Sequence, residues 1–195
     1  MIEKPAYIVE EEINLRLRTS TLIRWIAVFG QLGAIIISFY YLDFVFNVYQ
    51  AFFLILCSAV LNIIITIRYP ITKILNFNET FYFLFYDLIQ LVLLLSLTGG
   101  LTNPFCVLIL APIVIAATYL DLKRTILIVS ISIVSVTILA FFYFPFESAQ
   151  LGINKNDISR FGIFSIWAAL AVSLIFIPAY CFRVADESRK NTRAL

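Results

Sequence analysis

The sequence predicts an all-α membrane protein, a six-transmembrane-helix bundle with both termini in the cytoplasm. Three observations carry that prediction. First, 62% of the 195 residues are hydrophobic and 13% charged, with a mean hydropathy of +0.98. Soluble domains run at about 45–50% apolar and about 25% charged, so an ordinary soluble fold is excluded. Second, the apolar residues lie in six blocks of roughly the ~20 residues that a helix needs to cross a ~30 Å hydrocarbon core. Third, the Lys and Arg residues between the blocks fall almost wholly on one side.

The blocks read as spans are Leu22–Leu42, Phe46–Ile67, Thr80–Leu97, Pro104–Leu120, Thr125–Phe144 and Phe161–Phe182. In lipid every backbone N–H and C=O must be bonded within its own segment, which makes such runs helices. The alternating pattern of a membrane β-barrel does not occur. The third and fourth blocks are slightly short. Pro112 and Pro178 lie inside blocks four and six and are expected to kink them, since each removes a helical hydrogen bond. The first block is no cleaved signal peptide: it is too long, follows Glu10 to Glu12, and has no small-residue cleavage site after it.

Charge sets the orientation. Lys4, Arg16, Arg18 and Arg24 precede or open the first block, Arg68 and Lys73 fill the second break, and Lys123 and Arg124 the fourth. Arg183, Arg189, Lys190 and Arg193 follow the last block, whereas the opposite side holds only Lys155 and Arg160. By the positive-inside rule both termini are cytoplasmic. The chain then divides into a cytoplasmic segment 1–21, a helical membrane domain 22–182 and a polar tail 183–195. The tail has helix formers and no Gly or Pro, and Ala185, Ser188, Thr192 and Leu195 give a weak heptad spacing. It reads as a helix leaving the membrane, with its pattern interrupted at Leu195.

Composition also excludes functions. A net charge of +2 offers no field for nucleic acid. With no histidine in the chain, Ser-His and Cys-His catalysis, His-ligated metals and phosphohistidine are all excluded. Cys57, Cys106 and Cys181 fall on three different helices and read as small apolar residues. The breaks are too short for an extramembrane domain, so any chemistry takes place in or at the bilayer.

Four features stand out within this frame. Gly30, Ala34 and Ser38 in the first block, and Ser165, Ala169 and Ser173 in the sixth, repeat every fourth residue. Such small residues let helix backbones approach, within one bundle or across a dimer face. The third break, Thr98-Gly-Gly-Leu-Thr-Asn-Pro-Phe105, reads as a tight helical hairpin. Glycines suit left-handed backbone, Asn103 suits a cap and Pro104 a first helical turn. Leu101 and Phe105 beside the uncharged Asn103 amide would also make an apolar wall with hydrogen-bonding groups at a membrane edge, as a quinone ring requires. Asp87 and Gln90 share a face of the third block at i and i+3. A carboxylate there costs roughly 2.5–3.5 kcal/mol to insert, so it faces the bundle, protonated or beside a partner such as Gln90, Tyr86 or a residue on a neighbouring helix. Arg24-Trp25 opens the first block as an interface anchor or a signal-coupling pair.

The segment from Asp87-Leu-Ile-Gln-Leu through Gly99-Gly-Leu-Thr-Asn-Pro-Phe105, followed by Leu110-Ala-Pro112 and Ala116-Ala-Thr118, resembles the membrane input domain of the RegB/PrrB redox-sensing histidine kinases. Gly-Gly-Leu-x-Asn-Pro-Phe is that family's signature, with Thr102 in the variable place. Leu15-Arg-Leu-Arg-Thr19, Leu22-Ile-Arg-Trp25 and Gly30-Gln31 resemble its first span, so the likeness covers nearly the whole chain. The resemblance implies that Gly99, Gly100, Leu101, Asn103, Pro104 and Phe105, in a periplasmic loop, contact ubiquinone and report the redox state of the respiratory pool. It implies a homodimer in the bacterial inner membrane, with 183–195 starting a linker to a kinase module absent from this chain. That module would phosphorylate a response regulator controlling respiration, carbon fixation or photosynthesis genes. Asp87, Gln90, Arg24 and Trp25 are the candidates for signal coupling. The family's phosphoacceptor histidine, ATP-binding motif and redox cysteine are absent here, and Cys106 is not that cysteine; this chain by itself performs no catalysis. The competing expectation is a small transporter or channel with Asp87 in its pathway. Against it, the chain lacks paired Gly/Pro-broken helices in two halves.

Overall fold

The computed structural model describes residues 15–41, 43–70, 72–144, 147–148 and 160–194. The acidic stretch at Glu10 to Glu12, Lys4, Lys155 and Leu195 lie outside these. Helix α1 spans Leu17–Tyr40, α2 Val48–Arg68, α3 Phe77–Leu97, α4 Leu110–Tyr119, α5 Leu122–Phe141 and α6 Arg160–Ala194. Two short strands, β1 at Phe44–Val45 and β2 at Glu147–Ser148, complete the fold. Five of the helices (all but α4) are long and apolar enough to cross a membrane. The chain is thus a multi-pass membrane protein.

The fourth apolar block departs from a single α-helix. Pro104–Ile109 forms a six-residue 3₁₀ run that passes into α4 at Leu110. A 3₁₀ helix rises about 2.0 Å per residue against about 1.5 Å in an α-helix, so the composite segment covers about 27 Å. Pro112, expected to lie inside a span, falls in the first turn of α4, which starts two residues earlier. In a first helical turn the missing proline N–H has no helical partner to lose. Pro178 does lie within its helix, which continues to Ala194.

Hydrogen bonds tie the segments together at two ends. At one end Leu17 N–H donates to Lys73 O and Leu75 N–H to Leu15 O, both at 3.0 Å, joining the entry to α1 with the α2–α3 link. Lys73 Nζ lies 2.6 Å from Glu79 Oε1, and Glu79 also accepts from Asn76 N–H at the start of α3. Arg124 holds Asp121 and reaches Asn78 across to α3. At the other end β1 and β2 pair antiparallel, Phe44 opposite Ser148, and Phe144 N–H donates to Ser96 O. Asp43, at φ 47°, turns the chain from α1 into β1; aspartate tolerates that left-handed backbone better than most side chains. Trp167, early in α6, donates to Thr137, late in α5, so these two helices run antiparallel.

The main core joins α3, α4, α5 and α6 around Leu88, Ile109, Ile113, Ile128 and Leu174, all fully buried. Helices α1 and α2 form a hairpin with a smaller core of Val28, Ile35, Ala51 and Ile55. α1 packs on α2 and α2 on α3. Leu94 of α3 joins that smaller core, and beside it a cleft lies between α1 and α3.

Candidate functional site

The α3–α4 hairpin is built by the residues expected to build it. Gly99 and Gly100 have φ of 103° and 59°, both left-handed. A Cβ on Gly100 would sit 2.6 Å from Tyr143 Cβ, so the turn also needs glycine for close approach. Asn103 closes the turn. Its Nδ2 donates to Thr98 O and Thr98 Oγ1, each at 2.9 Å, and its Oδ1 accepts from Phe105 N–H at 2.9 Å. Both amide hydrogens are thus spent inside the hairpin. Pro104 opens the 3₁₀ run, and Leu101 is buried in the main core. Phe105 is 45% exposed.

Asn103 and Phe105 line a cavity of about 440 Å³ between α1, α3 and the start of α4. It extends along α1 from Ile23 to Ser38, about 22 Å of helix. Its walls are mostly aliphatic, and exposed Ile26, Phe105 and Leu108 stand at its rim. Arg24, Asp87 and Gln90 line the same cavity, so two groups of candidates that lie apart in sequence share one site. Gly99, Gly100, Leu101 and Pro104 shape the hairpin behind it and do not line it. Gln31, absent from the candidates, does.

Two polar pairs bridge the cleft from α1 to α3. Arg24 Nε lies 3.0 Å from Asp87 Oδ1 and 3.1 Å from Oδ2, while its Nη2 donates to Phe83 O at 3.1 Å. Two helical turns further along α1, and about one along α3, Gln31 and Gln90 exchange amide hydrogen bonds, Nε2 to Oε1 at 3.3 and 3.0 Å. Several expectations change accordingly. Arg24 is 5% exposed and turns inward instead of anchoring at the interface, because its charge is met inside by Asp87 and the Phe83 ring at 4.5 Å. Trp25 turns away from the cleft, packing beside Val28 and stacking on Phe29. Gln90 pairs with Gln31 rather than with Asp87.

The small-residue stripe of α1 likewise serves the cleft. Gly30, Ala34 and Ser38 line the cavity, and a Cβ on Gly30 would meet nothing within 4 Å. Ser165 and Ala169 of α6 face outward. Among the described residues no three His, Cys, Asp or Glu side chains come together to hold a metal, and the three cysteines are unpaired. The cleft offers an apolar slot, amides that both donate and accept, and a neutralised ion pair at one end. Its volume falls in the range of about 300–1,000 Å³ usual for small-ligand pockets.

No family model matches the chain, and no solved structure matches it. Two curated relatives do, both sensor histidine kinase RegB from Cereibacter sphaeroides, one from a named strain. Each is 38% identical, over 180 residues in one and 181 in the other, covering 92% and 93% of this chain. The chain spans about two fifths of the length of these relatives. With likeness of that extent running through every helix and the hairpin between α3 and α4, the chain belongs to the RegB/PrrB family, of which it represents the helical membrane sensor portion.

Proposed function

We propose that this chain is the redox-sensing input domain of a sensor histidine kinase in the bacterial inner membrane, taking ubiquinone and ubiquinol into the α1–α3–α4 cleft. The observation that carries the proposal is the placement of Asn103 and Phe105, from the Gly-Gly-Leu-x-Asn-Pro-Phe hairpin, on an apolar cleft rimmed by exposed Ile26 and Leu108. A quinone whose isoprenoid tail already lies in the bilayer reaches such a slot without crossing water. The composite segment from Pro104 to Tyr119, at about 27 Å, nearly matches a ~30 Å hydrocarbon core and serves as a sixth span. With six spans and the basic breaks inside, both termini face the cytoplasm. The chain acts as a homodimer and passes its signal through α6 to a kinase module and a response regulator. Asp87, held by Arg24, is a structural and coupling group in this reading and not a transported-ion site.

The test is a titration of the protein in lipid nanodiscs with ubiquinone and ubiquinol, beside Asn103→Ala and Phe105→Ala. Saturable binding, weakened in both variants, is expected. Uptake that follows lipid content alone and ignores both substitutions would overturn the proposal.

A further inference from the structure

The hairpin supplies the cleft with a shape but with few free hydrogen-bond donors. Both Asn103 amide hydrogens go to Thr98, and Thr98 Oγ1 donates to Leu94 O. Arg24 is taken up by Asp87 and Phe83. Gln31 and Gln90 differ. Each side-chain amide uses one N–H and one oxygen lone pair on the other, leaving a second N–H and a second lone pair without a partner among the described residues. Gln90 is 6% exposed, and both side chains line the cavity. They stand on facing helices that line the two sides of the cavity.

We infer that the Gln31–Gln90 pair, and not the hairpin, provides the hydrogen bonds to the quinone head group, with the ring seated between α1 and α3. The inference rests on the quinone reading above and adds the residues that recognise the ring. A quinone presents two carbonyl acceptors and a quinol two hydroxyl donors. A primary amide answers both, through N–H in one state and C=O in the other, so one pair of side chains accommodates either redox form without a change in charge. Gly30 and Ala34, small and on the face of α1 that lines the cavity, leave room for a planar ring beside Gln31. Gln90 lies eight residues before Thr98 on α3, about 12 Å along the helix. The ring therefore binds well inside the cleft, with Phe105 and Leu108 against the substituents nearer the mouth.

The experiment uses the chain in nanodiscs with a short-tailed ubiquinone carrying ¹³C-labelled carbonyls. Affinity is read by titration, and carbonyl hydrogen bonding by the infrared stretch of the bound ring. In the Gln31→Met/Gln90→Met protein two partners of similar length are replaced together, which keeps packing and removes the amides. Losing about two hydrogen bonds is expected to weaken binding by roughly tenfold or more and to return the carbonyl stretch toward its free position. Gln90→Asn, which keeps the amide but withdraws it by one methylene, is expected to weaken binding less and shift the band partway; it provides the test should the double variant not fold. If Asn103→Ala and Phe105→Ala lose binding while the double-Met protein binds within about twofold of the parent, with the band unmoved, this inference fails and the quinone reading stands. Should the parent chain itself show no saturable binding, both fall together.

Discussion

Cutting the Arg24–Asp87 pair one side at a time has a calculable outcome. The guanidinium is 5% exposed and the carboxylate 28%, and Nε sits 3.0 and 3.1 Å from the two carboxylate oxygens. Asp87→Leu leaves a buried cation with only the Phe83 carbonyl at 3.1 Å and the Phe83 ring at 4.5 Å. Breaking one side of a buried ion pair costs about 3–5 kcal/mol, and the cleft-facing exposure of Asp87 places this case near ~3 kcal/mol. Arg24→Leu strands the carboxylate at a similar cost of ~3 kcal/mol. The double Leu variant removes both charges, and replacing such pairs by apolar residues is often close to neutral, so a loss of about 1 kcal/mol is expected. Unfolding titrations with SDS in mixed micelles give the three free energies. A double variant whose loss equals the two single losses to within ~0.5 kcal/mol would show that the residues do not interact, and would refute the placement of Arg24 inside the cleft.

Two further outcomes follow from the ends of the bundle. Gly100→Ala forces a side chain onto left-handed backbone against Tyr143 Cβ at 2.6 Å and Leu139 O at 3.1 Å. A loss of about 2–3 kcal/mol is expected, seen as a melting point several degrees lower in detergent, against a small change for Thr102→Ala; equal melting of both would contradict the turn. At the opposite end, burial opposes ionisation of Asp121, but the hydrogen bond and charge of Arg124 outweigh it, with help from the backbone N–H groups of Asp121 and Arg124, and hold the carboxyl below its ordinary 3.8. The stabilisation is therefore present above about pH 4 and lost as the pH falls through the lowered value. Asp121→Asn should melt below the parent at about pH 6, with the gap closing near pH 3; a gap independent of pH would contradict the assignment.

What the sequence revealed, and what it hid, follows from the range of the interaction involved. Hydropathy and the Gly-Gly and Asn-Pro signals are local, and they located the helices and the hairpin to within a few residues. α1 starts at Leu17, five residues before the expected block, because Leu15 and Leu17 pair with the α2–α3 link, a contact no local pattern records. The 3₁₀ start of the fourth segment was also hidden, since Pro104 suits a first turn of either helix type. Arg24 and Asp87 are 63 residues apart, and their pairing depends on which helices become neighbours. A small-residue stripe reads the same whether it meets another backbone or an open cleft, so Gly30, Ala34 and Ser38 gave no hint of lining a cavity. Gln31 was overlooked for a related reason: an amide on an apolar helix gains meaning only opposite another polar group, here Gln90.

The arrangement also fixes which element can report on the cleft. α4 presents Ala111, Pro112 and Ile115 toward the cavity. Ile113 and Ala116, fully buried, join Leu170 and Leu174 of α6 in the main core. α4 is thus the one short helix with the cleft on one side and the outgoing helix on the other, and its alanines bring the two backbones close. α1 meets α3 through its two polar pairs and Leu94, and α2 through the rest of its buried apolar face. A difference of about 1.4 kcal/mol between quinone and quinol binding to two positions of α4 would change the balance between those positions tenfold. On the quinone reading proposed above, that difference is about one hydrogen bond's worth, within the exchange of donor for acceptor at Gln31 and Gln90. Such a movement would be absorbed most readily by the 3₁₀ run from Pro104 to Ile109, longer than such helices usually extend, since converting a 3₁₀ turn to an α-turn changes the length of the segment while keeping it helical.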